Sequence, residues 1–146
     1  MSDIVSQGQG HLLRARGNVL AFKAVAAQTG GDFSLMERTV PAGARMPPAH
    51  RHVNCSEAFF VLEGEITFLL DEATLTGGPG DFLLVPRGAG HTFGNVSDSP
   101  ARLLVLHAPA MDAYFEELHR LWADPDRPPA PATERELMSR YGMEPA

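Results

Sequence analysis

Short apolar runs that alternate with turn-forming residues are the feature that most restricts how this chain can fold. They extend from residue 19 to about residue 108, and Gly, Pro, Asp and Asn separate them, as in the Gly77-Gly78-Pro79-Gly80 segment. This pattern is typical of an all-β sandwich or barrel. We therefore predict eight strands, at residues 20–25, 33–40, 57–62, 65–70, 73–76, 82–85, 91–95 and 101–107.

The third predicted strand is apolar on both faces. Side chains alternate between the two faces of a strand, so Glu57, Phe59 and Val61 share one face, and Phe60 and Leu62 share the other. We therefore expect both faces to be buried, either in a packed sandwich or at a subunit interface.

The C-terminal part of the chain changes to helical spacing. One helix is predicted behind an Asp112 N-cap, and residues 124–132 are too Pro-rich for a helix or a central strand. A second helix is predicted from the Thr133 and Glu136 capping box, with Gly142 as its C-terminal stop. These signals predict two helices joined by an extended linker.

The length of 146 residues suits one domain and is too short for two. We divide the chain into an N-terminal arm (1–18), a barrel (19–110) and a C-terminal helical tail (111–146). The formal charge is −6, and the 12 Lys and Arg residues are scattered, which argues against nucleic acid and anionic membranes as partners. A small-molecule substrate is the expected partner.

Cellular location is predicted from three negative signals. The first ten residues lack the basic start and apolar run of a secretion signal, and no stretch approaches the length of a membrane span. Cys55 is the only cysteine, so no intrachain disulfide can form. We expect a cytoplasmic protein in which Cys55 is simply buried, although its place among the candidate ligands also allows oxidation or metal contact.

Two patterned segments carry the candidate chemistry. In an extended chain His50 and His52 point to the same side, and Glu57 can approach the same point if the chain bends. Two imidazoles and a carboxylate form a site for a borderline divalent metal. In the second segment, residues 80–95, Gly and Pro turns place His91 at the start of a strand, where it would be the fourth ligand.

These segments resemble the two characteristic motifs of the cupin superfamily, specifically its small, single-domain, quercetinase-like members. The first motif is matched by His50, His52, Glu57 and Gly64, and the second by Gly80, Pro86, Gly88, His91 and Asn95. The resemblance implies a double-stranded β-helix, that is, a cupin or jelly-roll barrel, followed here by the C-terminal helices. It also implies a homodimer and one divalent metal ion inside the barrel, either Fe, Mn, Ni, Zn, Cu or Co.

The resemblance leads to three functional hypotheses. The first is a metal-dependent dioxygenase for a small enol, phenol or diketone, in which Glu57 is a fourth metal ligand, a base that takes a proton from the substrate, or each in turn. The second is a metal-dependent isomerase or polyketide cyclase that does not use O₂. The third is a cupin that binds a small molecule without turning it over.

Several other residues have a functional and an ordinary interpretation. His107 either contacts the ligands or substrate, or is a satisfied histidine at the end of a strand. Arg45 and Arg87 either orient an anionic substrate or face solvent. The aromatic residues that either line a substrate pocket or form the core are Phe33, Phe59, Phe68 and Phe93.

Overall fold

Two antiparallel sheets make up most of the computed structural model, which describes residues 4–44 and 46–146. The first sheet contains β1 (His11–Ala15), β2 (Asn18–Ala24), β3 (Ser34–Val40), β5 (Ser56–Glu63), β8 (Phe82–Val85) and β10 (Ala101–Ala108). The second contains β4 (His50–His52), β6 (Ile66–Leu70), β7 (Ala73–Gly77), β9 (His91–Gly94) and β11 (Met143–Pro145). The strand orders are β1-β2-β3-β10-β5-β8 and β11-β4-β9-β6-β7. This arrangement confirms the predicted all-β, double-stranded β-helix fold with C-terminal helices.

The core lies between the two sheets because alternate side chains of each strand point inward. Phe59 of the first sheet packs against Phe68 and Phe93 of the second, with ring centroids 5.1 Å away in both cases. Full burial of such a side chain contributes about 1.5–3 kcal/mol. These three phenylalanines are therefore core residues, and Phe93 also lines a buried cavity of the barrel, whereas Phe33 is partly exposed.

The helices close one side of the barrel and begin at different residues than predicted. They are α1 (Ala26–Thr29), α2 (Asp112–Leu121) and α3 (Pro131–Arg140). Asp112 is not the N-cap of α2, because its carboxylate accepts a hydrogen bond from the backbone N–H of Ala26 in α1. No described helix has the length and apolar character needed to cross a membrane.

The ends of α3 show one wrong prediction and one correct one. Thr133 does not cap the helix, because α3 already begins at Pro131, whose missing N–H and fixed φ suit the first turn. Gly142 follows the helix with φ 75°, a left-handed conformation that terminates it as predicted.

Two strands lie in segments that were predicted to be outside the barrel. β1 pairs with β2 through a turn at Arg16 and Gly17, with φ of 53° and 78°, and so extends the first sheet into the predicted arm. Two positive φ angles are the signature of a tight hairpin turn. β11 pairs with β4 and joins the tail to the second sheet. The three-part division of the chain remains a prediction.

The outer face of β5 is open to solvent, so its predicted burial within the chain is wrong. Phe60 is 39% exposed, and its cross-strand partner Phe82 in β8 is 63% exposed. Leu84 on the same strand is 53% exposed. β8 is the edge strand, and the three side chains of this apolar patch, Phe60, Phe82 and Leu84, are all exposed. The alternative, a subunit interface, remains a prediction.

Replacement of Gly64 by alanine is expected to destabilise the fold by roughly 2–3 kcal/mol, because the site is both left-handed and crowded. Gly64 has φ 77°, and a Cβ there would lie 2.6 Å from the carbonyl oxygen of Pro100. Urea denaturation of Gly64→Ala measures the effect. Gly78→Ala is the matched control, since its Cβ would meet no atom within 4 Å, and a midpoint equal to that of the control would refute the steric argument.

Candidate metal centre

The four predicted ligands meet inside one end of the barrel. His50 and His52 lie on β4, Glu57 on β5 and His91 at the start of β9, and all four side chains are buried. One donor atom from each lies within 4.8 Å of the donor atoms of the others. A metal ion binds N and O ligands at about 2.0–2.2 Å, so donors on opposite sides of an ion are about 4 Å apart. The cluster is close to the size of a single-ion site.

Two of the histidines are held in the form that binds metal. His50 Nδ1 donates a hydrogen bond to the carbonyl oxygen of Pro48 over 2.7 Å, and His91 Nδ1 donates one to that of Ala89 over 3.0 Å. A carbonyl oxygen only accepts, so Nδ1 carries hydrogen and Nε2 is the atom free for the ligand cluster. Metal-binding histidines commonly have this outer hydrogen bond, which fixes their tautomer and orientation.

His52 supplies the test of whether the residues fit a metal ion. Both of its ring nitrogens are buried and have no hydrogen-bond partner among residues 4–44 and 46–146. Its Nε2 lies 3.2 Å from Glu57 Oε1, but without the alignment of a hydrogen bond. Buried polar atoms are almost always paired, and a metal ion would satisfy one of these two nitrogens. The donor set therefore fits a divalent metal, which the cluster can hold.

Glu57 is the centre of the cluster. Its Oε1 lies 2.6 Å from His91 Nε2, and its Oε2 lies 2.6 Å from Nε2 of His107, the residue directly opposite on β10. His107 is thus in contact with the candidate ligands, which the sequence allowed as one of two interpretations. Its Nδ1 has no partner in the described chain, so it is not the fully satisfied histidine of the other interpretation.

The local electrostatics keep Glu57 ionised and His50 neutral. Burial alone would raise the pKa of Glu57, but the charge and hydrogen bond of His107, with the close contacts of His52 and His91, hold that pKa well below its usual value. Burial lowers the pKa of His50 to about 3. Burial also opposes the charge on His91, but the hydrogen bond to Glu57 outweighs it and raises the His91 pKa. An ionised carboxylate beside a neutral imidazole attracts a cation.

The motif residues that are not ligands fix the backbone around the cluster. Gly88 has φ 85°, and its N–H donates to the carbonyl oxygen of His52 over 2.8 Å, which ties the second motif to β4. Asn95 donates from Nδ2 to the carbonyl oxygens of Val40 and Ser99. Gly88 thus holds the backbone of a ligand residue, and Asn95 joins the end of β3 to the turn before β10.

β4 depends on the C-terminal strand for most of its sheet pairing. Only His50 of β4 pairs with β9, at His91, whereas β11 pairs along all of β4. Met143 lies opposite His52, and its side chain lines the cavity at the cluster. β11 therefore supports the strand that carries two of the ligands and also covers them.

Two buried arginines, which the sequence analysis missed, line the same cavity. Arg16 is 5% and Arg38 is 3% exposed, and both line the cavity together with the ligand cluster. Alternation in β3 could have revealed Arg38, because Met36 and Val40 on its face are apolar. The free volume of this cavity is about 20 Å³, room for little more than one water molecule.

Two other residues singled out from the sequence, Arg87 and Cys55, have their ordinary interpretations in the structure. Arg87 is exposed, as its ordinary interpretation predicts, and Arg45 lies outside the described residues. Cys55 is buried, and burial raises the pKa of its thiol to about 11. Its Sγ lies within hydrogen-bond range of backbone oxygens at Ser56 and Pro109, so packing accounts for it.

Comparison with known proteins gives both a family and relatives. A family model described as "Cupin domain" matches residues 36–107, which include all four candidate ligands and His107. Quercetin 2,3-dioxygenase of Bacillus subtilis is 27% identical over 122 residues. That alignment covers 84% of this chain but 35% of the Bacillus protein, so the chain spans about a third of that relative's length.

Solved structures share the fold at lower identity. A sugar phosphate isomerase from Silicibacter pomeroyi, described as coming from a cupin superfamily, is 25% identical, with a TM-score of 0.56 over 68% of each chain. KdgF from Halomonas has a TM-score of 0.65 at 16% identity, over 76% of this chain and 98% of that one. The second likeness shows the fold alone.

Proposed function

The barrel of this chain belongs to the cupin superfamily, and from that premise we propose that the protein is a metal-dependent enzyme of dioxygenase type, acting on a small enol, phenol or diketone. The observation that carries the proposal is the convergence of three imidazoles, those of His50, His52 and His91, with one carboxylate. The ring nitrogens of His52 have no other partner in the described chain. The likeness to the Bacillus dioxygenase supports the reaction class.

His50, His52, Glu57 and His91 would hold the metal ion, with His50 and His91 as neutral Nε2 ligands once Nδ1 is committed to a carbonyl oxygen. When bound, a divalent ion supplies a Lewis acid for a substrate oxygen and, if it is redox-active, an electron source for O₂.

Glu57 would accept the proton that the substrate loses on binding. Its carboxylate is ionised and buried, and hydrogen bonds from His91 and His107 hold its two oxygens in place. The apolar side chains of Phe93, Phe115 and Met143 around the cavity exclude water from this proton transfer. His107 is in this account a positioning residue for Glu57.

The cavity favours small substrates. A free volume of about 20 Å³ is well below the roughly 300 Å³ or more of typical ligand sites. A flavonoid-sized molecule would need α2 and β11 to move, because Tyr114, Phe115 and Met143 line the cavity, whereas a compound of a few carbon atoms needs a much smaller adjustment. We therefore place the substrate among small molecules.

A second candidate function keeps the site but does not use O₂. An isomerase or cyclase would need only a polarised carbonyl and proton transfer by Glu57, and the likeness to the Silicibacter isomerase favours it. A cupin that binds a small molecule without turnover is the third alternative, and it predicts binding with no change in the ligand.

Elemental mass spectrometry of the purified protein, followed by O₂-consumption assays, tests these alternatives. Stoichiometric Fe, Mn, Ni, Cu or Co and O₂ uptake with pentane-2,4-dione or catechol would support the dioxygenase. Stoichiometric Zn, with hydrogen–deuterium exchange at the carbon next to a carbonyl and no O₂ uptake, would support the isomerase or cyclase. Failure to bind any of these metals after reconstitution would refute both.

We also propose a cytoplasmic homodimer. The exposed apolar patch of Phe60, Phe82 and Leu84 lies on an edge strand and its neighbour, and a second copy that covered it would remove this apolar surface from water. The molar mass in solution tests this proposal.

A further inference from the structure

Arg38 carries a positive charge into the apolar interior of the barrel. It lies on β3 between Met36 and Val40 on the inward face, and it is 3% exposed. Burial and the neighbouring charge of Arg16 lower its pKa to about 9, so the guanidinium is still protonated at neutral pH. A buried charge is costly unless a partner neutralises it.

Only one of the three guanidinium nitrogens of Arg38 has a hydrogen-bond partner in the described chain. Its Nε donates to Asn18 Oδ1 over 2.7 Å, and its guanidinium carbon lies 4.9 Å from the centre of the Phe93 ring. No carboxylate in the described part of the chain forms an ion pair with it, and no acceptor there receives a hydrogen bond from its two terminal nitrogens. Two adjacent donors of a planar fork are thus unused.

Arg16 shows that this lack of a partner is particular to Arg38. Arg16 lines the same cavity but forms a 2.5 Å ion pair with Glu134 and donates to the hydroxyl of Tyr114. The carboxylate that lines this cavity, Glu57, makes its close contacts with three histidines. Of the two buried cations, Arg16 has a carboxylate in contact, whereas Glu57 and Glu134 act on Arg38 only from beyond ion-pair distance.

The unpaired guanidinium and the ligand cluster face one cavity. Arg38, His50, His52 and Glu57 all line it. A bound metal ion would add positive charge on one side while Arg38 supplies it on the other, so the cavity as a whole would attract an anion. A carboxylate accepts two parallel hydrogen bonds from a guanidinium, which is the geometry that Arg38 has free.

We propose that Arg38 binds the carboxylate of the substrate, so that the natural substrates are small carboxylic acids with a hydroxyl, enol or keto oxygen for the metal. This inference rests on the proposed function, because it places the hydroxyl, enol or keto oxygen of the same substrate at the metal centre. It narrows the substrate class and makes Arg38 the residue that selects acids over neutral compounds.

Binding of a matched pair of probes tests the proposal without an assay of turnover. Lactate and lactamide have the same size and the same hydroxyl, but only lactate is an anion. The protein is loaded with Co²⁺, and each probe is titrated while the visible absorption bands of the metal are recorded. We expect lactate to bind at least about tenfold tighter than lactamide to the unaltered protein, since hydrogen bonds to charged groups contribute about 1.5–3 kcal/mol.

Three variants assign this preference to Arg38. Arg38→Met should lose most of the preference and keep only the part that the charge of Co²⁺ supplies. Arg38→Lys should keep more of it because it keeps the charge without the fork, and Arg102→Met on β10 should keep all of it. Equal affinities in the unaltered protein, which need no variant to measure, would overturn the proposal, as would a preference that a folded Arg38→Met retains in full. Failure of the Co²⁺ bands to appear would instead refute the metal centre and the inference with it.

Discussion

The His91→Ala variant is expected to lose its bound metal ion and, with it, all metal-dependent turnover. His91 Nε2 lies 2.6 Å from Glu57 Oε1, and its Nδ1 is already committed to the Ala89 carbonyl oxygen. The truncation removes one of four donors and also frees Glu57 from one of its partners. Even outer partners of metal ligands contribute about 10–100-fold to affinity, so loss of a ligand should weaken binding by more than about 100-fold.

Elemental analysis of dialysed protein checks this expectation, with circular dichroism to show that the variant is folded. His11→Ala is the matched control, since the His11 side chain is 55% exposed on β1 and contacts Glu116 rather than the cluster. The control should retain the metal content of the unaltered protein. A folded His91→Ala that retained stoichiometric metal would show that the ion binds elsewhere.

The Glu134→Ala variant is expected to lose about 3–5 kcal/mol of unfolding free energy. Glu134 on α3 forms a 2.5 Å ion pair with Arg16, and the two side chains are 7% and 3% exposed. Removal of one partner of a buried pair leaves the other charge desolvated and unpaired, which costs far more than the pair itself stabilises. Urea denaturation followed by circular dichroism measures the difference.

The exposed pair of Asp124 and Arg127 offers a control for Glu134→Ala. Those side chains are 56% and 88% exposed, and exposed ion pairs contribute about 0–1 kcal/mol. Asp124→Ala should therefore leave the unfolding midpoint almost unchanged. If Glu134→Ala were equally mild, Arg16 would have to reach solvent or another partner, and α3 would not depend on this pair for its position.

The strands and the ligand positions were accessible from sequence because both depend on short-range patterns. Alternating apolar residues and turn formers located eight of the eleven described strands, with bounds that differ from the observed ones by at most two residues. His50 and His52 share a face whatever the rest of the fold does, since their spacing of two residues matches the period of a strand. The convergence of Glu57 and His91 on the same point came from the motif resemblance.

What the sequence did not predict depends on contacts between distant parts of the chain. β11 has no strand signal of its own, and it is extended because β4 has a free edge beside it. Asp112 has the local pattern of an N-cap for its own helix, but its carboxylate instead accepts a hydrogen bond from the backbone N–H of Ala26 at the start of α1. The partner of Arg16, Glu134, lies 118 residues away along the chain, a pairing that no local pattern can encode.

The pairing of β11 with β4 also separates the candidate ligands from the segment that supports two of them. Every candidate ligand lies at or before residue 91, yet the strand that carries His50 and His52 obtains most of its sheet pairing from residues 143–145. A substitution or insertion between α3 and β11, far along the chain from both motifs, can therefore change the spacing of the ligands without touching any of them.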